Sequence, residues 1–125
     1  MSVQHGHQHL DPLEVLLAED DQVLQDIFRD TMEKEARIRG TVVDGVETAI
    51  VAMAANRFGA VISDGLNGGW KTVLGNALEQ EAVPVLFSLD TDAVAEARFL
   101  DIMAYEKGRT SFGLILATLV ELPRR

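Results

Sequence analysis

The chain of 125 residues has no cysteine, three prolines and one tryptophan, and only 6% of it is aromatic. Without thiols there is no disulfide staple, thiolate metal centre or cysteine nucleophile, and the composition fits a reducing compartment. No apolar run approaches the roughly 20 residues a membrane-spanning helix needs, and the N-terminus lacks a secretory hydrophobic region. Basic residues are also scarce. Eleven Lys and Arg stand against 20 Asp and Glu, a formal charge of −9. Such a chain repels a phosphate backbone and releases no counterions on meeting one, so direct nucleic-acid binding is not expected. What is present is an ordinary globular composition, 47% hydrophobic and 25% charged, enough for one domain with one core. The expectation is a small, acidic, cytoplasmic domain without membrane or nucleic-acid contacts.

Residues 1–11 differ from everything after them. They are polar, show no helical or strand period, and carry all three histidines, His5, His7 and His9. Alternating imidazoles can chelate a divalent transition metal. The simpler reading is a disordered tail, since disorder concentrates at termini. A single folded domain is expected over 12–122, with 123–125 as a short tail.

From Leu13 the chain alternates between two kinds of segment. Leu13 to Ala18 is a short apolar run stopped by Glu19-Asp20-Asp21, which reads as a buried strand. Gln22 to Lys34 then puts Val23, Leu24, Ile27, Phe28 and Met32 on one helical face. A second strand over 36–43 stops at the turn pair Asp44-Gly45, and an alanine-rich helix follows over 46–57. Phe58 to Ser63 is a third strand ending at Asp64, and Gly65 to Gly69 reads as a loop. A helix over 70–80 is weakened by Gly75, since glycine costs about 1 kcal/mol relative to alanine. A fourth strand over 83–89, a helix over 91–100, a brief strand over 102–105 and a helix from Thr110 or Ser111 to Leu122 complete the pattern. Five apolar strands alternating with five helices specify a doubly wound α/β fold, with a parallel sheet covered on both faces.

In such a sheet, ligands bind beyond the carboxyl ends of the strands, where strand order reverses. At those ends stand Glu19-Asp20-Asp21, Asp64, Ser88 and Lys107. Carboxylates packed together repel one another and call for a cation, and hard oxygen donors suit Mg²⁺. A lysine and a hydroxyl beside them could hold an anionic oxygen. A carboxylate next to bound Mg²⁺ can act as a nucleophile toward phosphorus.

The segments EVLLAEDD at 14–21, DGVETAI at 44–50, FGAVISD at 58–64, VPVLFS at 83–88 and AYEKG at 104–108 occur in order at the strand ends. Together they give the chain a resemblance to the receiver domains of response regulators over about residues 12–122. The resemblance implies a flavodoxin-like receiver fold. It implies that Asp64 accepts a phosphoryl group from a sensor histidine kinase, a phosphotransfer protein or a small phosphodonor. Glu19, Asp20 and Asp64, with the backbone carbonyl of Leu66, would hold Mg²⁺. Ser88 matches the switch hydroxyl, and Lys107 the lysine that pairs with the aspartate or its phosphoryl group. Asp21 reads instead as the start of the first helix.

The sequence departs from that family in three places. The loop Gly65-Leu66-Asn67-Gly68-Gly69-Trp70 lacks the usual Met-Pro pair, and its glycines imply a looser loop. Gly108 follows the lysine in place of a proline that is normally cis, and a cis bond without proline costs about 2.5–4 kcal/mol. Ala104 stands where the switch aromatic is usual, while Tyr105, one residue on, would face the other side of the strand. Two readings follow. The first is a single-domain response regulator, a phosphoryl acceptor rather than an enzyme, whose output would pass through contact with a downstream protein, through phosphate relay, or through a domain outside this sequence. The second is a phosphorylation-independent, receiver-like interaction module. A Mg²⁺-dependent phosphohydrolase would want a second acid two residues after Asp64, where Leu66 stands. Trp70 reads as a packing residue.

Overall fold

A computed structural model describes residues 11–123. His5, His7, His9 and the terminal arginines lie outside the described residues, so the metal-chelating reading of the tail finds no test there.

The five apolar runs form strands β1 (Leu13–Ala18), β2 (Ile38–Val43), β3 (Ala60–Ser63), β4 (Val83–Ser88) and β5 (Met103–Glu106). All neighbouring pairs are parallel, in the order β2-β1-β3-β4-β5. Five α-helices alternate with them: α1 (Gln22–Glu33), α2 (Val46–Ala55), α3 (Trp70–Glu79), α4 (Thr91–Phe99) and α5 (Phe112–Glu121). The doubly wound α/β reading of the sequence is the observed fold, with strand ends shifted by one or two residues. No helix among the described residues is long and apolar enough to cross a membrane.

Alternation along the strands divides the core in two, because successive side chains point to opposite faces. Val15 and Leu17 of β1, Ala60 and Ile62 of β3, and Val85 and Phe87 of β4 pack beneath α1 and α5. Leu16, Ala18, Val61, Leu86 and Ala104 pack beneath α2, α3 and α4. Trp70 is 2% exposed in that second layer, the packing role read from the sequence.

Helix α1 corrects one expectation. Phe28 and Met32 are buried and Leu24 packs at their margin, but Val23 and Ile27 are 67% and 52% exposed. The i, i+4, i+8 ridge Leu24–Phe28–Met32 carries the burial, and the ridge one residue earlier turns to solvent. The start of α1 agrees with the sequence reading, for Asp21 caps it by accepting the Leu24 amide at 3.1 Å.

Candidate functional site

Strand order reverses between β1 and β3, and the register there fixes the site. Ala18 is paired with Ser63, so the next residues, Glu19 and Asp64, emerge side by side at the carboxyl edge. Backbone bonds hold both stems: the Asp64 amide donates to Ala18 O at 2.8 Å and the Glu19 amide to Val43 O at 3.0 Å. On the other flank the Lys107 amide donates to Ser88 O at 3.0 Å, extending the β4–β5 ladder to the lysine.

Lys107 closes the arrangement. Its Nζ donates to Glu19 Oε1 and to Asp64 Oδ1, each at 2.7 Å, across 88 and 43 residues of chain. Nζ lies 5.9 Å from the centroid of the Phe87 ring, so the ammonium has one apolar flank. Glu19 is only 1% exposed, and its second oxygen, Oε2, accepts the Asp21 amide at 3.1 Å. Asp20 lies exposed at the mouth. One carboxylate oxygen from each of Glu19, Asp20 and Asp64 lies within 4.8 Å of the others. Such an all-oxygen donor set fits a hard divalent cation.

The electrostatics follow from burial and pairing. Burial pushes Glu19 above the ordinary carboxylate range, more than its hydrogen bond to Lys107 pulls it down. Asp20 is also raised, first by partial desolvation and then by the charge of Asp64 beside it. Burial would raise Asp64 too, but the Lys107 hydrogen bond and charge, with the amides of Gly65 and Leu66, outweigh it and leave the pKa lowered. Burial would lower Lys107, yet its bonds to Asp64 and Glu19 prevail and the pKa is raised. The centre therefore holds an ionised aspartate against a protonated lysine.

The segment after Asp64 is wound rather than open. Leu66–Gly68 forms a 3₁₀ turn, with Gly68 N–H donating to Gly65 O and Gly69 N–H to Leu66 O, both at 2.9 Å. Leu66, Asn67 and Gly68 take φ of 50°, 54° and 92° in succession. Side chains rarely adopt this left-handed region, at a cost of roughly 1–2 kcal/mol per residue. The packing beside the turn requires a glycine at Gly69, because a Cβ there would collide with Val46 Cγ2. The looseness expected from three glycines is met by this hydrogen-bonded turn. The Leu66 carbonyl spends one lone pair on Gly69, leaving the other for a further ligand.

Ser88 is 3% exposed, and its Oγ accepts the Asp90 amide at 3.0 Å. A Cβ on Gly65 would lie 3.0 Å from that same oxygen. Ser88 and Asp64 line one cavity of about 400 Å³ between the β3–α3 and β4–α4 connections. Beyond Lys107 the described residues contain no cis peptide, and Gly108 makes the turn at φ 87°. Ala104 packs on the α4 side and Tyr105 on the α5 side, the opposition expected from strand alternation.

Three contacts escaped the sequence. Arg98 grips the Ala104 carbonyl, with Nε at 3.2 Å and Nη2 at 2.9 Å. Lys71 on α3 pairs with Glu96 on α4 at 2.5 Å. Glu19 is held as the lysine's buried anchor as well as offering a ligand oxygen. The first two join residues whose proximity only the helix packing decides, so no spacing could have announced them. The burial of Glu19 was implicit in its place after four buried strand residues.

No family model matches the chain, and no curated protein sequence matches it significantly. Solved structures do. The signal receiver domain of an HD domain-containing protein from Pseudomonas fluorescens Pf-5 superposes with a TM-score of 0.73 at 18% identity, covering 88% of this chain and 93% of its own. A response regulator from Thermotoga maritima gives 0.72 at 13% identity, covering 90% and 97%. The BeF3-activated form of SdrG from Pseudomonas melonis Fr1 gives 0.67 at 24% identity, covering 90% and 100%. The chain has the fold of a response regulator receiver domain.

Proposed function

We propose that the chain is a phosphoacceptor receiver domain of a two-component system, taking a phosphoryl group on Asp64. The observation that carries this reading is Lys107 Nζ at 2.7 Å from both Glu19 and Asp64, with Asp20 at the rim. An ionised carboxylate, a cation that can follow an anionic oxygen, and a hard-oxygen donor set together suit attack on phosphorus.

Glu19, Asp20, Asp64 and the Leu66 carbonyl would hold Mg²⁺, which when bound neutralises charge on the transferring group. Asp64 Oδ attacks phosphorus and the donor's leaving group departs with the bonding electrons. Lys107 moves from the free carboxylate to a phosphoryl oxygen. Ser88 turns its hydroxyl toward the same group from across the cavity. Such a domain is an acceptor whose chemistry is on itself rather than a turnover enzyme. Its partners on this reading are a sensor histidine kinase or phosphotransfer protein and a downstream protein met by surface contact, in the cytoplasm. Residues 12–122 would form the working unit.

Incubation with Mg²⁺ and acetyl phosphate should add one phosphoryl group to the peptide containing Asp64, and none to Asp64→Asn. Addition elsewhere, or none at all, would refute the assignment. The second reading, a phosphorylation-independent interaction module, draws on the strained loop at Leu66–Gly68 and on Ala104 and Gly108. It is favoured if millimolar Mg²⁺ leaves the fluorescence of Trp70 and the amide spectrum of the loop unchanged.

A further inference from the structure

The amino edge of the sheet, at the far end of the strands from the carboxylates, holds a cavity of about 430 Å³. Its walls are the start of β1, the connections entering β3 and β4, and the end of α5. The lining is mostly apolar. Leu13, Val83 and Leu122 are half-buried there, and Phe58 and Leu119 are 5% and 3% exposed. A Cβ on Gly59 would lie 2.5 Å from Leu13 Cδ1, so the glycine makes room for that leucine in the wall. A space of this size, apolar with a few polar groups, is the usual form of a small-molecule site.

Two exposed side chains of opposite charge stand at its rim, Arg57 before β3 and Glu81 before β4. These strands are neighbours, and Val83 N–H donates to Gly59 O at 2.9 Å, so the two residues enter the sheet side by side. Even so, no ion pair joins them, and among the described residues Arg57 is the one cation without a partner. Every other described lysine or arginine reaches a carboxylate or, for Arg98, a backbone carbonyl. In a chain of formal charge −9, a cation left free is the exception. Glu14, the third charged group of the lining, is already taken by Arg39 at 2.7 Å. The rim thus offers one guanidinium and one carboxylate above an apolar floor.

We propose that this cavity binds an apolar α-amino acid of the size of leucine or phenylalanine. The ligand carboxylate meets the Arg57 guanidinium, whose planar fork matches two oxygens. The ligand ammonium faces Glu81, and its side chain covers Leu13, Leu119 and Leu122. A zwitterion suits the rim better than a simple carboxylate, because Glu81 repels an anion that brings no cation of its own. The site lies at the opposite edge of the sheet from Asp64 and does not depend on the phosphoacceptor reading.

The test is a titration of the ¹⁵N-labelled full chain with leucine and with phenylalanine, followed by its amide resonances. Saturable shifts are expected at residues 13–14, 57–60, 80–83 and 119–122. Arg57→Gln and Glu81→Gln should each weaken binding roughly tenfold, the loss of one charge-assisted bond. Arg57→Lys keeps the charge and should recover part of that loss, while Arg109→Gln, at a remote exposed cation, should change nothing. Isocaproate lacks the ammonium and isopentylamine the carboxylate, and each should bind roughly tenfold more weakly than leucine. This analogue comparison uses the unaltered chain, so it decides the assignment even where a substitution disturbs folding. Unchanged binding in Arg57→Gln, or isocaproate binding as tightly as leucine, would overturn the assignment. So would shifts confined to the Asp64 edge, or no saturable shift at all, the outcome expected if residues 1–10 fill the cavity.

Discussion

The two layers that cover the sheet are built from different materials. Between α1, α5 and the sheet, Phe28, Phe87 and Phe112 meet with ring centroids 4.5 to 6.0 Å apart, directly behind the Lys107 ammonium. Between the sheet and α2, α3 and α4, alanine supplies seven of the 16 buried residues, and the aromatic rings are Phe58 and Trp70. Aromatic contacts bury large, shape-specific areas, while alanines let helices approach closely with little to hold them in place. The aromatic layer supports the fixed half of the site, Lys107 with its carboxylates. The alanine-rich layer lies beneath the left-handed turn after Asp64, Ser88 and α4.

The sharpest way to break this comparison is to thin each layer in turn. Phe112→Ala should lower unfolding free energy by about 3–5 kcal/mol. Val94→Ala, which removes two methyl groups from the α4 contact, should lower it by about 2 kcal/mol. Both are read by chemical denaturation. Equal losses would mean that the two layers hold the sheet equally well.

Next in size is the buried charge pair. Lys107→Met leaves two carboxylates facing each other without a cation and should cost about 3 kcal/mol at neutral pH. The sign with pH follows from the direction of the shift. Folding raises the Lys107 pKa, so its contribution is complete below the unfolded value near 10.4 and is lost as pH rises through the higher folded value. The gap in stability between wild type and Lys107→Met should therefore narrow above about pH 10.4 in denaturation curves. A gap that stays constant to the alkaline limit would contradict the pairing.

The smallest effect concerns α3. Gly75 lies in the helix interior, and a Cβ there would touch nothing within 4 Å. Gly75→Ala should raise stability by about 1 kcal/mol without altering Mg²⁺ response, since it stiffens a helix that carries no site residue at that position. Loss of the Mg²⁺ response would show that α3 moves with the loop.

The fold was legible because local signals agreed with one another. Short apolar strands stopped by acids, the Asp21 cap, and the Ser111 side chain accepting the Leu114 amide at 3.1 Å all say where elements begin. The exposure of Val23 and Ile27 was not legible, since their spacing is as helical as that of Phe28, and only the docking of α1 on the sheet chooses the ridge. The carboxylates and the lysine could be named from strand ends because a parallel sheet sends them all to one edge. Their shared bonds could not, because 2.7 Å contacts across 43 and 88 residues depend on strand order and register. The left-handed run at Leu66 and Asn67 was hidden for another reason. Leucine gives no sign of such a backbone, and the bonds that close the turn, Gly68 N–H to Gly65 O and Gly69 N–H to Leu66 O, are set only once the loop is folded.

The site itself is tested most directly by titrating the ¹⁵N-labelled chain with beryllofluoride and Mg²⁺ while following its amide resonances. A phosphoacceptor site at Asp64 predicts saturable shifts centred on residues 19–21, 64–70, 88–93 and 107, requiring both additives and lost in Asp64→Asn. Shifts that survive that substitution, or that leave Lys107 and the Asp64 turn untouched, would contradict it.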